Sequence, residues 1–384
     1  MCIRDRDKRI YFDNAATTPL DPIVIETMTK VMQQNFGNPS SIHADGRKSR
    51  TLIESARKVV AHRIKCSVSE VFFTSGGTES NNTALKCSVR DLGVQRIISS
   101  RIEHHCILHT LERLESEGVE VVYCDVQATG EVDYAALEAH LGTGDKKTLV
   151  SLMHANNEVS TINDIAKISQ LCQAHDAYFH TDTVQTIGYR ELDLTKIKIN
   201  FLSGSAHKFY GPKGTGFLYI NGNNQIKPFM DGGSQERNMR AGTENIYGIC
   251  GLAKALDLAC DNMKTRVAHI KSLNQHAREQ LKANFPEVTF NGPTSLGGGL
   301  EKVLSVNFPP SPKSEMLMLH MDIAGICASG GSACSSGSEK GSHVIATLSD
   351  VSPIVGKPVR LSFSHKNTIE EVDFLIEKLK TVLK

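Results

Sequence analysis

Seven short apolar runs punctuate the first two thirds of the chain, at residues 71–75, 96–100, 119–125, 148–154, 178–182, 200–205 and 216–220. Most end in polar or Gly-containing turns, and several are too continuously apolar to keep a wet face. Runs of that kind belong to strands buried on both sides, as in a largely parallel sheet covered by helices. Helical periodicity fills the intervals at 78–92, 107–117 and 164–175. In the last of these, Ile165, Ile168, Leu171 and Cys172 recur at three- and four-residue spacing. The pattern predicts an α/β fold.

The character changes after Thr243. Residues 245–260 and 261–285 read as two long helices. Strands are expected at 288–291, 302–308 and 359–363, with helices near 314–321 and 368–383. Elements that close up locally suggest a smaller α+β domain. The expected division is a large α/β domain over 16–261 and a small α+β domain over 262–384, joined by residues 7–15. Residues 1–6 alternate charge without periodicity and are left outside the fold.

Composition narrows the partners. Lys and Arg number 43 against 42 Asp and Glu, a net charge of +1, which removes the electrostatic argument for nucleic acid or an anionic membrane. No apolar run approaches the roughly 18 residues of a membrane span. Ten cysteines are scattered without a CxxC pair, and no apolar signal-peptide core stands at the start. Reduced thiols in a cytoplasmic enzyme are the expectation.

In open α/β sheets, ligands bind outside the carboxyl ends of the strands. After the first run, Gly76-Gly77-Thr78-Glu79-Ser80 opens a helix, where glycines admit close backbone approach and free N–H groups attract anions. Many such turns bind nothing, so this one decides little alone. Glu103-His104-His105 follows the second run and Asn156-Asn157-Glu158 the fourth. The fifth closes on His180-Thr181-Asp182-Thr183-Val184-Gln185. The sixth leads into Ser205-Ala206-His207-Lys208, then Gly211-Pro212-Lys213-Gly214. Four strand ends thus send an imidazole, an amide, a carboxylate and an amine towards one crevice. Each alone is more simply a structural residue; their joint placement is not explained that way. A lysine can condense with an aldehyde cofactor, and pyridoxal phosphate needs an acidic partner at its ring nitrogen. Asp182 suits that partner, Thr78, Ser205 and His207 suit the phosphate, and His104 suits the ring face.

Further motifs join these: Tyr11-Phe12-Asp13-Asn14-Ala15-Ala16-Thr17-Thr18, Phe36-Gly37-Asn38-Pro39-Ser40-Ser41, Arg240-Ala241-Gly242-Thr243-Glu244-Asn245 and Gly331-Ser332-Ala333-Cys334-Ser335-Ser336-Gly337. From about Ile10 to the C-terminus the chain closely resembles the cysteine desulfurases, pyridoxal-phosphate enzymes of the class V aminotransferase, fold-type I superfamily. The longer cysteine stretch is similar to that of the housekeeping, iron–sulfur-cluster-assembly subgroup. The resemblance implies a mixed, mostly parallel seven-stranded sheet between helices, plus the small domain carrying the cysteine. It also implies roles. Lys208 looks like the Schiff-base lysine and proton shuttle. Asp182 would pair with the pyridine nitrogen and Gln185 with the ring hydroxyl. His104 would stack on the ring as acid/base, with Asn157 near cofactor and substrate. Gly77, Thr78, Ser205 and His207 would hold phosphate, joined by Thr243 from the partner subunit of a homodimer. Arg360 would grip the substrate carboxylate. Cys334 would be the nucleophile that receives sulfur.

The implied reaction turns L-cysteine into L-alanine and leaves a persulfide on Cys334. Its sulfur then passes to acceptor proteins such as an iron–sulfur scaffold, or into tRNA thiolation. The alternatives are a selenocysteine lyase or another class V pyridoxal-phosphate enzyme; a transaminase would have no use for Cys334. A degenerate binding scaffold would be expected to lose Lys208, Asp182 or Cys334. His104, His105, Cys106 and His109 could suggest zinc, but no second ligand group completes the set at the usual spacing, so no metal is expected. Ser364-His365-Lys366 and the segment 309–314 depart from the family pattern, at positions that bear on surface and partner contacts.

Overall fold

Each of the seven predicted runs is a strand, and burial explains why they do not alternate. The computed structural model describes residues 9–295, 297–330 and 341–383. After a short β1 (Ile10–Tyr11) come β2 (Val71–Thr74), β3 (Arg96–Ser100), β4 (Glu120–Cys124), β5 (Thr148–Ser151), β6 (Tyr178–Asp182), β7 (Phe201–Ser205) and β8 (Gly216–Ile220). These last seven form one sheet in the order β2-β8-β7-β6-β5-β3-β4. Every residue of β2, β3, β5, β7 and β8 is buried.

Neighbouring residues of one strand serve opposite cores, as the two-residue period of a strand requires. Ile97 and Leu149 pack with Leu85, Ile107, Leu111 and Leu114 from helices Gly77–Leu92 and His105–Ser116. Ile98 and Val150, one residue along, pack instead with Ile53, Ile168 and Leu252 from helices Ala44–Ile64, Ile165–Ala174 and Ile246–Asp261. Fully burying each such side chain contributes roughly 1.5–3 kcal/mol, and a one-residue slip would exchange the faces.

The last third builds a smaller antiparallel sheet from β9 (Thr289–Asn291), β10 (Val303–Phe308) and β12 (Lys357–Ser362), in the order β12-β10-β9. Helices Met263–Asn284 and Ile369–Leu383 share its core through Leu273, Ala277, Leu375 and Leu379. Ile10 and Phe12 enter that same core, and β1 pairs in parallel with β11 (Ile326–Cys327). Pro358 lies in β12, an edge strand, where its missing N–H costs the ladder nothing. The helix expected near 314–321 is two pieces, Pro312–Glu315 and Leu317–Ile323. The first is started by Ser311 and Ser314 in a reciprocal cap. Among the described residues, no helix is long and apolar enough to cross a membrane.

Direction matters most for function. β3, β5, β6 and β7 run parallel, and β8 is antiparallel to both β7 and β2. All but β8 therefore point the same way, and their carboxyl ends meet along one edge. The chain steps outward from β3 to β4, then returns to lay β5 on the other side of β3. Such reversals open the crevice in which α/β proteins bind ligands.

Candidate active site

A cavity of about 230 Å³ lies at that edge. It is lined by Gly77, Thr78, His104, Asn157, Asp182, Gln185, Ser205, His207, Lys208 and Arg360. Ten of the twelve residues proposed from sequence thus converge. Thr243 does not: it is exposed and lines a separate cleft with Arg240, whose guanidinium is bound by Glu79 at 2.9 Å. Cys334 lies outside the described residues.

Each wall follows from its local backbone. Gly76 has φ +153°, which L side chains rarely adopt, and the helix Gly77–Leu92 starts without a side-chain cap. A Cβ at Gly77 would stand 2.8 Å from Val184 Cγ2. Glycine therefore keeps the first helical N–H groups open to the cavity, where an anion gains from them and from the helix dipole. Asp182 ends β6. Its Oδ1 accepts from Val184 N–H at 2.9 Å and its Oδ2 from the Asn81 amide at 2.7 Å. Gln185 donates to Ala15 O at 3.1 Å, while its buried Oε1 has no partner among the described residues.

Lys208 closes the tight turn Ala206–Lys208 after β7, and its Nζ donates to Ala15 O at 2.6 Å and Ala16 O at 2.8 Å. Those carbonyls are placed from far along the chain. Ser362 Oγ accepts from Ala15 N–H at 2.9 Å, and Ser362 O accepts from the Asn14 amide at 2.9 Å. His207 meets Thr17 Oγ1 at 3.1 Å. Burial first, then the nearby Lys208, Lys213 and Lys302, push its pKa down to about 3, so its imidazole is neutral. Arg360, on β12, is 2% exposed; it donates to Asp13 Oδ1 at 2.8 Å and to Asn157 O at 3.1 Å. Its buried Nε has no partner among the described residues. The turn carrying Asn157 is fixed by Asn156, which donates to Ile102 O and accepts from Glu158 and Val159 N–H.

His104 is the N-cap of helix His105–Ser116, with Nδ1 accepting from Cys106 N–H at 3.1 Å. Burial lowers its pKa against the pull of Asp182. Three contributors escaped the sequence reading. Asn81 and Cys106 line the cavity, and Asp13 holds Arg360. Asn81 had one available signal, since it stands one helical turn beyond Thr78 and so shares its face.

A larger cleft of about 930 Å³ lies between Cys66, Cys260 and Arg190, away from these strand ends. Three of its cations are already paired: Arg63 with Asp257 and Asp261, Lys65 with Glu191 and Asp193, Arg190 with Glu301. Nothing in it converges on a ligand.

The profile of the class-V aminotransferases matches residues 10–375. The chain belongs to that family. Curated relatives agree along its length. A protein named cysteine desulfurase IscS from Dictyoglomus turgidum is 40% identical over 98% of this chain and 96% of its own. Its namesake from Methanosarcina thermophila is 41% identical over 99% and 93%. Among solved structures, a NifS-like protein superposes with a TM-score of 0.89 at 34% identity, covering 98% of this chain and 99% of the other. SspA, solved in complex with cysteine, gives 0.79 at 30% identity, over 94% and 100%. For a class-V aminotransferase, a strand-end lysine facing a buried aspartate implies pyridoxal phosphate. The residues here fit it. Gln185 Oε1 is an orphaned acceptor, Gly77 leaves a cradle that a Cβ would fill, and Asp182 presents a carboxylate inside the cavity.

Proposed function

We propose that this protein is a pyridoxal-phosphate-dependent cysteine desulfurase, converting L-cysteine and the Cys334 thiol into L-alanine and a Cys334 persulfide. The observation that carries it is the meeting of Lys208, Asp182, His104 and Arg360 around one cavity in a chain of this family. Lys208 would hold the cofactor's aldehyde, Asp182 its ring nitrogen and Gln185 its ring oxygen. Gly77, Thr78, Ser205 and His207 would hold the phosphate, with Thr243 supplied by the second subunit of a homodimer. When bound, that group supplies an electron sink that acidifies the substrate's Cα–H.

The chain's own residues do the rest. Arg360 takes the substrate carboxylate on its fork, which fixes the Cα–H relative to Lys208. Lys208 Nζ, held at the cavity wall by the Ala15 and Ala16 carbonyls, would remove that proton. The Cys334 thiolate takes the sulfur: the Cβ–S bond breaks, an S–S bond forms, and Cβ gains a proton. Handing that sulfur to an acceptor such as an iron–sulfur scaffold in the cytoplasm completes the role.

The test is direct. Purified protein supplied with pyridoxal phosphate, cysteine and a thiol reductant should release alanine and sulfide in equal amounts. Lys208→Ala should reduce that by at least about 10³-fold, and only the wild type should retain cofactor covalently after borohydride. A wild type that takes up no cofactor, or makes pyruvate in place of alanine, would overturn the reading.

A further inference from the structure

Two residues that the cofactor reading leaves without a role, Asn81 and Cys106, join the carboxylate of Asp182 to the imidazole of His104. We infer that they fix His104 with its proton on Nε2, so that it serves as a neutral hydrogen-bond donor from that atom and not as a base. The inference rests on the function proposed above, and it narrows the acid/base role that the family resemblance implies.

The directions of the hydrogen bonds carry it. His104 Nδ1 lies 3.1 Å from the Cys106 backbone nitrogen and 3.0 Å from Cys106 Sγ. A backbone amide can only donate, so Nδ1 must present its lone pair. The role of the thiol is set from its other side. His180 is fully buried and neutral, its pKa pushed to about 3. It accepts at Nδ1 from Ser151 Oγ–H at 2.9 Å and donates from Nε2 to Asn81 Oδ1 at 3.2 Å. The Asp182 carboxylate can only accept, which settles which way the Asn81 amide faces and makes His180 Nε2 the donor to Asn81 Oδ1. The amide's two N–H bonds go to Asp182 Oδ2 at 2.7 Å and to Cys106 Sγ at 3.2 Å. Sγ meets the Thr78 side chain as well as Asn81, and at its 3.0 Å contact with the bare Nδ1 the S–H must be the donor.

Two donors therefore face Nδ1. Protonating it would set an N–H against both and orphan the start of the helix His105–Ser116. A neutral ring with a bare Nδ1 carries its proton on Nε2. The surrounding charges act in the same direction: burial, Lys208 after β7, His343 across the cavity wall and His109 on the same helix all disfavour the cation, and only Asp182 on β6 favours it. A neutral imidazole can polarise an oxygen or thiol by donating, but has no site at Nε2 to receive a proton. Proton traffic at Cα then falls to Lys208 alone.

The test uses the full-length protein supplied with pyridoxal phosphate and labelled with nitrogen-15 histidine, His104 being assigned by its loss in His104→Gln. Two-bond proton–nitrogen correlation spectra should show the neutral Nε2–H tautomer near neutral pH. Cys106→Ser, which keeps a side-chain donor, should preserve that pattern. Cys106→Ala loses one of the two donors, and its His104 should bind a proton about tenfold more tightly, a midpoint about one pH unit higher. An Nδ1–H or cationic ring in the wild type near neutral pH would overturn the inference, as would a Cys106→Ala titration matching the wild type. Cofactor uptake and alanine release, measured on the same samples, report separately on the proposed function.

Discussion

Arg360 and Asp13, 347 residues apart, meet in an ion pair of 2.8 Å that lies within the wall of the cavity. The same Asp13 oxygen accepts from Ser329 Oγ–H at 2.8 Å. The carboxylate anchors the guanidinium, whose buried Nε has no partner among the described residues.

Replacing Arg360 by Lys keeps the charge and loses the fork, since one ammonium cannot span Asp13 and Asn157 while also gripping a substrate. The expected result is a KM for cysteine raised about tenfold or more, equivalent to about 1.4 kcal/mol, with cofactor absorbance unchanged. Asp13→Asn should raise KM in the same direction and lower the melting temperature, because a nearly buried guanidinium loses its counter-charge. Steady-state kinetics with an absorbance scan of each variant decides it; an unchanged KM in Arg360→Lys would remove Arg360 from substrate binding.

Gly77→Ala forces a methyl to within 2.8 Å of Val184 Cγ2 at the mouth of the helix. Overpacking of this kind costs about 1–3 kcal/mol, and here it displaces the N–H groups offered to a phosphate. Cofactor affinity should fall by about tenfold or more, and Val184→Ala in the same chain should restore most of it. Titration of each apo-protein with pyridoxal phosphate reads both effects. A double variant no better than Gly77→Ala would mean that the cradle is not what the glycine protects.

Stability should fall on the acid side of neutrality. Burial lowers His180 to about 3 and His154 to about 4, whereas an unfolded histidine titrates near 6.5. As pH drops below that value the unfolded chain takes up protons that the folded chain refuses. Their contribution is therefore intact above about 6.5 and drains away towards the folded values. Near pH 5 each costs about 2 kcal/mol. Urea midpoints across that range should decline, and His180→Gln should flatten part of the slope; a slope unaltered by that change would assign the acid loss to other groups.

Thr243 offers a test of shared sites. It is exposed and stands outside the cavity formed by its own chain. Thr243→Glu should repel the phosphate of the neighbouring subunit's cofactor and leave a nearly inactive dimer. Mixed and reassociated with Lys208→Ala, it should give heterodimers with one intact site and roughly a quarter of wild-type activity. Demonstrated heterodimers without that recovery would place Thr243 outside the active site.

The sheet was legible because strands covered on both faces read as short, largely apolar runs, as 71–75 through 216–220 do. The convergence of Asp182, Lys208 and His104 followed from strand ends alone. The helix Ala44–Ile64 was harder. Arg57 on its inner face counts as a surface residue in any hydropathy pattern, yet it is 1% exposed and bound through two nitrogens to the buried Glu236. Asp13, Asn81 and Cys106 were hidden for a related reason. Asn81 meets Cys106 and Asp182, 25 and 101 positions away, and Asp13 meets Arg360, 347 away; a polar contact made across such a distance leaves no periodic trace.

The pinning of Ala15 and Asn14 by Ser362 has a consequence for how the enzyme is made. Lys208 leans on the Ala15 carbonyl, and the Ala15 backbone is held by Ser362 of β12, 347 positions further along the chain. Domains emerging during translation generally fold N-terminal part first. The large sheet can thus assemble early, while the Lys208 amine waits for β12 to give it a place. A nascent or truncated chain that lacks β12 has the strand ends of the large sheet without Arg360 or the backstop of Lys208.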